Sequence, residues 1–267
     1  MTRASAGMTA LLLLAGPAAA QDFDQCRHEA QRDARVQASA SERLVLLARA
    51  GSLRVEGRSG LGEVRVSGRA CASSPELLER LRIEASRNGG TIRVEVPEID
   101  RDDGWNWGRN EYARLDLVLE VPAGMAADIE DGSGDIDISG IGSITLDDGS
   151  GGIDLRDIAG DVNVNDGSGE VVIAGVKGDV TIDDGSGELE VRDVTGSVTI
   201  DDGSGGIDIS GVGGTVRIPD DGTGGVQVSD VEGDLIVRDK GNGDVRYSDV
   251  RGRVDVPERD RRKRRGR

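Results

Sequence analysis

From about residue 124 onward, apolar and polar residues alternate in short runs, and the runs recur with a period of about 18. One period reads Glu170-Val171-Val172-Ile173-Ala174-Gly175-Val176-Lys177-Gly178-Asp179-Val180-Thr181-Ile182-Asp183-Asp184-Gly185-Ser186-Gly187. Alternation sets Val171, Ile173, Val176, Val180 and Ile182 on one side. The next two periods hold Leu189, Val191, Val194, Val198, Ile200 and then Ile207, Ile209, Val212, Val216, Ile218 at the same places. Each period closes on Asp-Gly-Ser/Thr-Gly, with copies starting at Asp131, Asp148, Asp166, Asp184, Asp202 and Asp221 and a degenerate copy at Lys240-Gly241-Asn242-Gly243. Two strands per period with glycine at both corners predict an all-β fold: a β-solenoid, parallel β-helix-like, of about seven 18-residue coils. Five aliphatics cannot offset the ordering of eighteen backbones, so a lone coil is unstable and the coils must stack. The general preference of parallel crossovers makes the winding right-handed.

The first half of the chain alternates less regularly. Residues 21–43 are polar and rich in Ala and Arg, reading as a short helix or a loose lead-in. Strand patterns follow at Leu44–Leu47, Leu53–Val55 and Val64–Val66, separated by Ala50-Gly51 and Ser59-Gly60. Pro75 to Leu81 suits one or two helical turns. Asn88-Gly89-Gly90 between two alternating runs signals a hairpin, because those residues accept positive φ. Leu115 to Val121 is a further strand, stopped by Pro122. Residues 44–123 are therefore expected to be a β-sheet cap covering the first coil of a solenoid at 124–256, whose open edge would otherwise invite aggregation.

Export is written into the amino-terminal segment, 1–20. Arg3 precedes a short apolar run from Met8 to Gly16, and Ala18-Ala19-Ala20 before Gln21 has the form of a signal-peptide cleavage site. That run is too short to span a bilayer, and no later segment approaches the required length. The expected location is periplasmic, extracellular or at the cell surface. An oxidising compartment makes Cys26 and Cys71, the only cysteines, a disulfide pair that closes a loop of about 45 residues and contributes roughly 4 kcal/mol.

Net charge is −17 over 267 residues, which disfavours general nucleic-acid binding. His28 is the single histidine, which removes most acid–base and metal-site designs that rely on imidazole. Aromatics are 2% of residues, which leaves a solenoid core to Val, Ile and Leu. From Arg259 to Arg267 the chain carries seven Arg or Lys and one Asp. That block reads as a solvated tail or as a contact for anionic lipid or lipopolysaccharide phosphate.

Stacked turns would align Asp131, Asp148, Asp166, Asp184, Asp202 and Asp221 in one row, with Glu130, Asp147, Asp183, Asp201, Asp220 and Asp239 beside it and Asn165 interrupting the second row. Both rows are expected on the surface. Either calcium sits between the carboxylates and offsets their repulsion, or Asp and Ser cap their own turns through backbone N–H groups. The pattern departs from the calcium-binding nonapeptide, since Ile207 stands where that repeat needs Asp and Asp208 comes one position late. Paired acids could serve polysaccharide cleavage, yet any two aspartates of a solenoid meet that spacing. Trp105 and Trp107, with Tyr112 close by, form the one aromatic group suited to a glycan, peptide or partner surface, or to covering the hairpin.

Leu117-Val118-Leu119-Glu120-Val121-Pro122-Ala123-Gly124 followed by Gly132-Ser133-Gly134-Asp135-Ile136-Asp137-Ile138 resembles the start of the repeats in the putative adhesin family of bacterial β-strand-repeat proteins. The likeness runs over roughly residues 44 to 256. It implies the solenoid fold and brings no catalytic or cofactor residues. The expected function is an exported, non-enzymatic scaffold or adhesin-like module. Its partner would be an envelope glycan, lipopolysaccharide or another envelope protein. A calcium-binding solenoid is the alternative, and a polysaccharide-active enzyme the remote one.

Overall fold

A computed structural model describes residues 26–99 and 111–257. The export segment, Trp105, Trp107 and the basic block lie outside the described residues. In the first half the chain forms β1 (His28–Gln37), β2 (Arg43–Leu47), β3 (Leu53–Arg58), β4 (Glu63–Ala72), α1 (Pro75–Arg80), β5 (Glu84–Asn88), β6 (Thr91–Glu95) and β7 (Ala113–Pro122). Then come windings of two strands each: β8 (Ala126–Asp131) with β9 (Ile136–Ser139), β10 (Ile144–Asp148) with β11 (Ile153–Ile158), and β12 (Val162–Asp166) with β13 (Val171–Val176). The series continues with β14 (Val180–Asp184) and β15 (Gly187–Val194), β16 (Val198–Asp202) and β17 (Gly205–Val212), β18 (Val216–Ile218) and β19 (Gly224–Val231), then β20 (Leu235–Val237) and β21 (Val245–Val250), and ends on β22 (Val254–Asp255).

Two eleven-stranded sheets result. One takes the odd-numbered repeat strands, in the order β1-β4-β7-β3-β9-β11-β13-β15-β17-β19-β21; the other runs β22-β20-β18-β16-β14-β12-β10-β8-β2-β6-β5. Every repeat strand pairs in parallel with its equivalent one winding on, as Val180↔Val198 and Ile182↔Ile200 show. The all-β solenoid with about seven 18-residue coils is therefore present. Aliphatics of both sheets face a shared interior, where Val171, Ile173, Val176, Val180 and Ile182 are all at most 1% exposed.

The cap differs from its expectation in two ways. Residues 28–37 are no loose or helical lead-in but strand β1, paired antiparallel with β4 along its whole length. Further, β2 and β3 are themselves a solenoid winding. β3 lies between β7 and β9, parallel to both, and β2 lies between β6 and β8 in the same way. The solenoid geometry thus begins at Arg43, and β6 and β7 return to cover the outer edge of that first winding. Antiparallel strands β1, β4 and β5 then finish the two sheets. The hairpin at Asn88-Gly89-Gly90 joins β5 to β6 with Gly89 at φ 60°, and Ser74 caps α1 by accepting the Leu77 N–H. Cys26 and Cys71 are disulfide-bonded, tying the start of β1 to β4.

Candidate functional site

The Asp-Gly-Ser/Thr-Gly corner carries the chain's unusual chemistry. Strand alternation decides where its two acids point. In β14, Val180 and Ile182 face inward, so Asp184 does too, while Asp183 faces out. The same parity holds at each repeat, and Asp131, Asp148, Asp166, Asp184, Asp202 and Asp221 are between 0% and 6% exposed. The expectation of a surface row is corrected here: the six form a buried column. The neighbouring row of Glu130, Asp147, Asn165, Asp183, Asp201 and Asp220 is the more exposed one.

Main-chain bonding across the corner is continuous. The N–H of Gly167, Gly185 and Gly203 donates to the carbonyl of Asp148, Asp166 and Asp184 at 3.0, 2.9 and 2.8 Å. The side chains fare otherwise. Asp202 Oδ1 accepts the Ser204 N–H at 3.0 Å, as a turn cap should. The other carboxylate oxygens of the column are buried without a hydrogen-bond partner.

The opposite corner uses the same residue types differently. Ser143 Oγ accepts the Asp161 N–H at 3.1 Å, Asp161 Oδ1 accepts the Asp179 N–H at 3.0 Å, and Asp179 Oδ1 accepts the Ser197 N–H at 2.7 Å. Each of these side chains is answered by the backbone of the next winding.

Electrostatics follow from this contrast. Burial first, then the charge of Asp148, pushes the Asp131 carboxyl up to about 7. Burial and the charge of Asp166 push Asp148 to about 6. Burial with Asp166 and Asp202 on either side pushes Asp184 to about 7. Burial, Asp202 and Asp220 raise Asp221 to about 6 against the opposing charge of Lys240. Asp166 and Asp202 are also raised by burial, opposed by the nearby Ser168 and Ser204 N–H groups. Lys240 closes the column, its Nζ donating to the Gly243 carbonyl at 2.6 Å. At the other end the register Leu47↔Glu130 continues to Ala48 opposite Asp131. Among the described residues, no group of three or more His, Cys, Asp or Glu side chains is arranged to hold a metal ion.

A second feature lies on the outer face of the odd-numbered sheet. Register aligns Arg54, Asp137, Asp154, Val172, Glu190, Asp208, Gln227 and Arg246 in one row. Beside it the row through Glu188 is interrupted by Gly206 and Gly225, where a side chain is missing and the space is open. That gap is one trough of about 400 Å³, and a second of about 580 Å³ lies further along the same face at Gly152; Glu170 borders both, and both are rich in carboxylates. Sequence reasoning passed over them, although glycines recurring at one register position were the available signal. Tyr112 is half-buried and structural, its hydroxyl accepting the Arg27 N–H at 3.0 Å and its own N–H donating to Ser73 Oγ at 3.1 Å.

The model of one protein family, Toastrack DUF4097, matches residues 63–258. Solved structures of similar fold include a putative adhesin from Parabacteroides merdae, 11% identical, covering 86% of this chain and 96% of that one with a TM-score of 0.49. A putative lipid binding protein from Parabacteroides distasonis is 13% identical over 81% and 96%, with a TM-score of 0.45. A putative adhesin from Bacteroides fragilis is 16% identical over 83% and 98%, with a TM-score of 0.41. No curated protein matches the chain. The family match spans the chain from β4 through its last winding, and the protein belongs to the Toastrack DUF4097 family.

Proposed function

We propose that this protein is an exported, non-enzymatic binding scaffold of the bacterial envelope, and that the outer troughs of the odd-numbered sheet are its ligand face. One observation carries the reading: the register row through Glu190 is an extended, ordered line of polar groups, acids and Gln227 in the middle with Arg54 and Arg246 at its ends and Val172 the one apolar member, and beside it Gly206 and Gly225 open the row through Glu188. Such a line accepts hydrogen bonds from the hydroxyls of an extended glycan, and a rigid sheet loses little entropy on binding it. Export is supported by the Cys26–Cys71 bridge and by the signal-like pattern of Arg3, the Met8–Gly16 run and Ala18-Ala19-Ala20.

The test is retention of purified protein on envelope fractions and on a glycan panel, with Glu188→Gln/Asp208→Asn as the comparison. Binding by the wild type that the double variant loses supports the reading. Absence of wild-type binding to every fraction and glycan removes it.

A further inference from the structure

The buried aspartate column has no role in that ligand face, because it points into the tube and the troughs lie outside. Six carboxyls stacked one ladder step apart, about 4.8 Å, cannot all be ionised in an apolar interior without partners. Compensation comes from backbone N–H groups of the column's own turns, such as those of Gly132, Gly149, Ser168, Ser186 and Ser204, and it is outweighed by burial. Inward from the facing strands come Ile136, Ile153, Val171, Leu189, Ile207 and Val226, none of which titrates. On its own strands the outward neighbours are acids except for Asn165, with Asp201, Asp220 and Asp239 adding repulsion. Among the described residues, Lys240 is the one cation that acts on it, at the last member only.

We propose that the six inward aspartates hold protons as one unit, with neutral carboxyl groups donating O–H···O⁻ hydrogen bonds to ionised neighbours along the column, so that the solenoid tightens in acid and loosens at this corner as the protons leave. Each step is a proton passing from a carboxyl oxygen to water or to the next carboxylate, and no other bond changes. The direction of the carboxyl shifts agrees, since both neighbouring charge and burial favour the protonated form. Repetition matters: a single buried acid would be a defect, whereas six in register titrate as one coupled set, each lost proton holding the next more tightly, over a broad pH range. Calcium does not suit the column as well. It takes six to eight oxygens, and each interval offers two carboxyl groups with no added cluster among the described residues.

The experiment is urea unfolding of the full chain from pH about 4 to about 8, with and without calcium, for the wild type and for Asp166→Asn/Asp184→Asn. The proposal expects the wild-type midpoint to fall steadily across that range, the variant to lose a clear part of the fall, and calcium to leave both unchanged. Equal pH dependence in the two proteins overturns it. So does a wild-type midpoint restored by calcium at the alkaline end, which would make the column a cation site. Should the variant not fold, infrared spectroscopy of the wild type at pH about 6 decides instead. A protonated carboxyl band that bleaches on raising the pH is expected, and its absence overturns the proposal. Neither readout depends on glycan binding, so this result stands or falls apart from the ligand-face reading.

Discussion

Gly205 and Gly187 stack so closely that a Cβ built on Gly205 would stand 1.5 Å from the Gly187 carbonyl oxygen. The two glycines occupy equivalent corner positions on β17 and β15 and are in register. Here glycine is required by the approach of one backbone to the next rather than by any special dihedral angle. Gly205→Ala is predicted to cost roughly 1–3 kcal/mol, as overpacking does, because the obstructing atom is main chain. Gly206→Ala, one residue on, meets nothing within 4 Å and should stay within about 0.5 kcal/mol of wild type. Urea denaturation of the pair checks both numbers.

The interior column Val191, Ile209, Val228 is fully buried, and Tyr247 continues it in the last winding at 52% exposure. Ile209→Ala is expected to cost about 2–5 kcal/mol, since neighbouring windings on both sides prevent collapse around the cavity. Tyr247→Ala should cost less, having neighbours on one side only. Thermal unfolding of the two variants tests the ordering.

Reducing the Cys26–Cys71 bridge should lower stability by about 2–5 kcal/mol. The loss should appear first in β1, which pairs with β4 alone and forms the outer edge of its sheet. Amide exchange under reducing conditions is the measurement, with β1 expected to lose protection before the windings.

The carboxyl of Asp131 titrates near 7 in the folded chain, against an ordinary 3.8. The folded state therefore binds more protons between those values, so this group's contribution is fullest below pH about 4 and is lost as pH rises toward 7. Asp131→Asn should be nearly neutral at the acid end. Above pH 7 it should stabilise the protein by on the order of 2 kcal/mol relative to wild type, as the charge penalty disappears. Chemical unfolding at the two pH extremes decides it.

Much of the tube is legible in the amino acids. Val180 and Ile182 alternate with Thr181 and Asp183, and the regular recurrence of that pattern leaves one way to bury them all. The same alternation carries Asp184 inward two positions after Ile182. Composition argues against that placement, because an acid is ordinarily assigned to water, and parity wins since shifting it would turn Val180 and Ile182 outward. β1 was illegible for another reason: its Ala and Arg content favours helix, and pairing with β4 overrides that local preference. The placement of β3 between β7 and β9 depends on contacts far apart in the chain, which no short-range pattern encodes. The trough glycines Gly206 and Gly225 look like ordinary corner glycines until register shows them side by side.

β2 and β3 are clasped on one edge by β6 and β7 and on the other by β8 and β9, so the first winding is held in register from both sides. At the amino-terminal end the two sheets are finished by β4 and β5, which run against the windings, with β1 beyond β4, whereas the carboxyl-terminal end of each sheet is a parallel winding strand, β21 or β22. Duplication or excision of whole 18-residue units between Gly140 and Val231 would leave both ends as they are. A chain built this way can change the reach of its tube through the number of windings while its starter stays as it is.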